Sequence, residues 1–91
     1  MTYNIYITKQ EPDLITAKVQ FNGLWYKASE RISDEVKRFN KEEERKRALI
    51  NSCKSRVILE LIKQQHGDEN DGDLWLEIEK NNEFRVNERF S

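Results

Sequence analysis

Asn22-Gly23 constrains this chain more than any other feature. A two-residue type I′ turn needs positive φ at both central positions, and asparagine and glycine tolerate it. Such a turn sets a register as well as a pair of strands. It places Phe21 opposite Leu24, Val19 opposite Tyr26 and Ala17 opposite Ala28 on one side, with Gln20 against Trp25 and Lys18 against Lys27 on the other. Tyr3, Ile5 and Ile7 alternate in the same way, and Lys9-Gln10-Glu11-Pro12-Asp13 supplies the break before the next strand. The first thirty residues therefore predict a three-stranded antiparallel meander over 3–8, 14–21 and 24–30.

At the other end Leu74, Leu76 and Ile78 alternate, as do Phe84 and Val86. A three-residue loop at Lys80-Asn81-Asn82 sets Ile78 against Phe84, Leu76 against Val86 and Glu77 against Arg85. This predicts a C-terminal β-hairpin over 74–79 and 83–89.

Between the two hairpins, no proline or glycine interrupts the segment from Ser33 to Gly67. Ser33 is placed to cap a helix, Asp34 and Glu35 to meet its positive end, and Gly67 to stop it. Arg38–Glu42, Glu42–Lys46 and Glu43–Arg47 are spaced as i,i+4 pairs. The reading is one long central helix over 33–66, with Asn51 the place where a break would fall. Unbroken, it would be about 50 Å long and would overhang a domain whose radius of gyration should be about 12 Å. One apolar stripe runs through Val36, Phe39, Ile50, Cys53 and Val57 to Leu61, interrupted by Glu43 and Lys46. Further along, Val57, Ile58, Leu59, Leu61 and Ile62 occupy more than half of the circumference, so the C-terminal half is the core half. The stripe is the expected dimer interface, with Glu43 of one copy near Lys46 of the other.

The fold class expected is thus α+β in a single domain, 1–91. With 36% hydrophobic and 36% charged residues in 91, the core is thin, which favours a homodimer. The net charge of −1 argues against the field of a strongly basic nucleic-acid binder. A single cysteine fits a reducing, cytoplasmic setting, and the polar–apolar alternation of Met1–Thr8 and the lack of a long apolar run predict neither a signal peptide nor a membrane-spanning segment.

Candidate chemistry is sparse. His66, Asp68, Glu69, Asp71 and Asp73 cluster in sequence, but aligning Gly72 with the turn glycine of a calcium loop puts Ile78 where a bidentate glutamate belongs. A solvated connection, without metal or other cofactor, is the reading. Cys53 and His66 are thirteen residues apart on one predicted helix, about 20 Å of rise, so they form no nucleophile–base pair and no enzyme is expected. Lys37, Arg38, Lys41, Arg45, Lys46, Arg47, Lys54 and Arg56 would suit a helix laid along phosphates, but Glu42, Glu43 and Glu44 interrupt them. Tyr6, Trp25 and Trp75 fall on the polar sides of their predicted strands, where large aromatics act as partner anchors. The expectation is a small non-enzymatic protein-binding module of inhibitor or adaptor type, such as a bacterial or phage accessory protein. A nucleic-acid-binding dimer using helix 37–56 is the alternative.

Overall fold

The computed structural model describes residues 1–11, 13–39, 41–68 and 71–90, with the side chains of 10, 36, 37, 89 and 90 left aside. Strands β1 (Thr2–Glu11), β2 (Leu14–Phe21) and β3 (Leu24–Arg31) form the expected antiparallel meander. Asn22 and Gly23 take φ values of 52° and 79°, and all five cross-strand pairs that the turn implied are present. The alternation Tyr3, Ile5, Ile7 with Ile15, Ala17, Val19 and Phe21 turns seven buried side chains to one face.

Downstream, the expected single helix is two. α1 (Asp34–Arg38) is short, and α2 (Glu42–His66) passes through Asn51 and Ser52 without a break. The interruption lies between Arg38 and Glu42. Starting anew at Glu42 puts Glu42, Glu43 and Glu44 in the first turn, against the positive end of the helix. It also brings Glu42 to Lys9 of β1 at 3.1 Å. Ile32, 2% exposed, pins the entry, its N–H donating to the Asp13 carbonyl at 2.6 Å. Gly67 ends α2 at φ 67°, with its N–H on the Lys63 carbonyl at 3.1 Å.

The C-terminal hairpin is not formed. Residues expected as a strand over 74–79 belong to helix α3 (Gly72–Asn81), and only β4 (Glu83–Phe90) is extended. Asp71 caps α3, its carboxylate accepting from the Asp73 N–H at 3.0 Å. Leu74, Trp75 and Ile78, spaced for one helical face, turn inward to different degrees, while Leu76 is 64% exposed. The alternation Leu74, Leu76, Ile78 thus has a second interpretation at helical spacing. Freed from a hairpin, β4 pairs parallel with β1, Phe84 beside Tyr3 and Val86 beside Ile5, giving the sheet order β3-β2-β1-β4. Arg85 meets Glu83 at 3.3 Å, so the Glu77–Arg85 cross-strand pair of the expected hairpin has no counterpart.

Leu49, Cys53, Val57, Ile58, Leu61 and Ile62 of α2 pack on the inner face of β1, β2 and β3, and α3 lies along α2. Lys54 ties the two helices through Glu79 at 2.7 Å, with its ammonium 5.4 Å above the Phe84 ring. α2 alone is about 37 Å long. That explains a molecule 43 Å in its longest dimension, with a radius of gyration of 14.6 Å.

Candidate binding face

Because α2 and α3 both pack on the inner face, the opposite face of the sheet lacks their cover. Alternation dictates what stands there: Tyr6 on β1, Lys18 on β2, and Trp25 and Lys27 on β3. Tyr6 is opposite Lys18, and Lys18 is opposite Lys27. The Tyr6 and Trp25 rings are 6.1 Å apart at 56°, and the Lys18 ammonium sits 5.0 Å over the Trp25 ring. Trp25 remains 46% exposed. Tyr6, Thr8, Lys18 and Trp25 line a shallow cleft of about 200 Å³. Beside it the Thr16 and Ser29 hydroxyls share a hydrogen bond of 2.9 Å, whereas the buried Thr8 hydroxyl has none among the described residues.

The charge on this face is unevenly matched. At the rim, Arg31 meets Asp13 at 3.2 Å and Glu11 at 3.7 Å, and Arg85 meets Glu83. Lys18 and Lys27 oppose each other across adjacent strands, and no carboxylate among the described residues forms an ion pair with either. A cross-strand pair of like charges opposes folding. The centre of the face therefore holds two ammoniums with no carboxylate partner among the described residues, beside an aromatic pair.

The helix expected to suit nucleic acid is differently disposed. Arg45 meets Glu30 of β3 at 2.7 Å, Lys46 is buried beside Glu43 and Glu88, and Lys54 is held by Glu79. Arg56 approaches Glu60 at 3.7 Å and lies 4.9 Å over the Tyr26 ring. Arg38, Lys41 and Arg47 are exposed, and the Lys37 side chain is outside the described residues. Four of the seven cations whose side chains are described thus serve contacts within the chain.

The stripe expected to meet a second copy is also divided. Cys53 and Val57, 2% and 0% exposed, face the chain's own sheet, and Ile50 packs beside them. Phe39 is 58% exposed, and the Val36 side chain is outside the described residues. The polar gap at Glu43 and Lys46 is closed internally, the two pairing at 3.4 Å. Trp75, expected to point outward from a strand, is half-buried on α3 against the core.

Burial pushes the Cys53 thiol above its ordinary pKa, and likewise the Tyr3 phenol. A protonated, enclosed thiol is a poor nucleophile. Among the described residues, no three of His, Cys, Asp and Glu come together to hold a metal, and no helix is long and apolar enough to cross a membrane.

Sequence reasoning missed that Lys18 and Lys27 have no carboxylate partner among the described residues. Asn22-Gly23 already implied their register, but which cations lack partners depends on where Glu42, Glu79 and Glu88 end up. No protein-family model, curated protein or solved structure matches this chain.

Proposed function

We propose that this chain is a non-enzymatic protein-binding module whose working surface is the outer face of its sheet. The observation that carries this reading is the half-exposed Trp25, set against Tyr6 and Lys18 on a face that the two packed helices leave alone. Trp and Tyr dominate binding energy at protein interfaces because they bury much area for few rotatable bonds. Polar groups around them, here Thr8, Gln20 and Lys27, suit the rim of such a contact. An inhibitor or adaptor needs nothing more than a surface of this kind.

Nucleic acid is less well supported on either surface. The helix cations are engaged at Arg45, Lys46, Lys54 and Arg56, and one side of Trp25, where a base would stack, carries Lys18.

The test is affinity capture with wild-type protein, Trp25→Ala and Phe39→Ala. A protein retained by wild type and Phe39→Ala but lost with Trp25→Ala is the expected result. Capture that survives Trp25→Ala, or a nuclease-sensitive complex, would overturn the reading.

A further inference from the structure

We infer that the free edge of β3 takes up an extended acidic segment of a partner protein as a fifth strand of the sheet. This deepens the protein-binding reading and rests on the partner being a protein. β3 is an outermost strand, eight residues long and free of proline. In a two-residue hairpin the flanking residues exchange both main-chain hydrogen bonds, and bonded and outward-turned residues then alternate. With Phe21 opposite Leu24, the main-chain groups of Trp25, Lys27 and Ser29 face away from β2. They form a template for one more strand.

The two sides of that edge differ in chemistry, and the difference specifies the guest. Successive residues of an added strand point to opposite faces. On the inner side lies a cleft of about 310 Å³ between β3 and α2, lined by Tyr26, Ala28 and Cys53 with Ser52, Arg56 and the edge residue Lys27 at its border. On the outer side stand Trp25 and Lys27, with Lys18 one strand further in. A segment alternating apolar and acidic residues places its apolar set over the cleft and its carboxylates beside Lys27, with the Lys18 ammonium adding positive charge one strand further in. A sheet edge offers alternating donors and acceptors; a polypeptide complements both, but a phosphodiester backbone can only accept. A second copy of β3 fits poorly, because antiparallel self-pairing about the middle of the strand brings two Lys27 ammoniums together.

A lysine on an edge strand is also an ordinary guard against self-pairing, so the test must separate recruitment from mere protection. The probe is an end-blocked octapeptide alternating valine and glutamate, titrated to millimolar concentration while amide exchange is followed residue by residue. Saturable slowing at Trp25, Lys27 and Ser29, with no change along β4, is expected. A peptide with lysine for glutamate should have no effect. The double variant Lys18→Glu, Lys27→Glu, its fold checked by its amide spectrum, should weaken the effect at least tenfold. No slowing, equal slowing along β4, indifference to the charge reversal, or the same slowing with an oligothymidylate would overturn the inference. If the peptide fails while capture of a protein still depends on Trp25, the edge inference falls and the face reading stands; if capture is also indifferent to Trp25, both fall.

Discussion

Lys27 bears two opposed demands. Opposite Lys18, with no carboxylate in contact among the described residues, it weakens the free protein. Lys27→Gln should therefore stabilise the fold by roughly 0.2–0.5 kcal/mol, less at high salt, while weakening capture of the partner. Denaturant titration at two ionic strengths checks the first half; a loss of stability would remove the view that these lysines are held in place for binding. Cys53 and Tyr3 make a separate prediction. Burial raises both pKa values, so the folded chain holds these protons where the unfolded chain has already released them. Their contribution is complete at neutral pH and declines as pH climbs past about 9, the ordinary thiol value, toward the folded-state values. Unfolding free energy should stay level from pH 7 to about 9 and fall above it, with Tyr3 joining past about 10, and Cys53→Ala should flatten the earlier part of that fall. At this scale much was legible: alternation from Asn22-Gly23 sent Trp25 outward, and that of Tyr3, Ile5 and Ile7 sent Tyr6 outward. The partners of individual cations were not, since Lys9 with Glu42 and Lys46 with Glu88 join residues 33 and 42 positions apart.

α3 shows where sequence patterning divides. Leu74, Leu76 and Ile78 fit a strand, while Leu74, Trp75 and Ile78 fit a helical face, and a segment of ten residues cannot decide between them by periodicity alone. Asp71-Gly72-Asp73 was the deciding signal, because Asp71 satisfies an N–H that a starting helix leaves unpaired. Asp71→Ala should cost about 1 kcal/mol and fray α3 first. Amide exchange confined to 72–76 would verify this, and unchanged stability would show that packing of Ile78 alone holds the helix. The same ambiguity moved the break in the central helix. The local signal for a stop after Arg38 is the run of three glutamates from Glu42, better placed at the beginning of a helix than in its middle. β4 could not be read as parallel from its own residues, because the pairing follows from α3 reversing the chain before Glu83.

For the whole molecule, the thin core expected from composition is made sufficient by laying one 25-residue helix lengthwise over the sheet. The part of the stripe at Cys53 and Val57, expected to need a second copy, finds its cover in Ile5, Val19 and their neighbours. Sedimentation equilibrium at tens of micromolar should accordingly return the 11.0 kDa monomer; a dimer resistant to Phe39→Asp would mean that another surface self-associates. Helices packed on one side leave the molecule two unlike faces, one where Arg45 and Lys54 are held in ion pairs and the other carrying Trp25, Tyr6 and, inside a rim of ion pairs, two lysines with no carboxylate partner among the described residues. The most direct test is photo-cross-linking with a benzophenone amino acid placed at Lys27 on the sheet face or at Leu59, 40% exposed on α2. Cross-links to a protein from position 27, and none from position 59, are predicted. Cross-links from position 59 alone, or from position 27 to nucleic acid, would contradict the account.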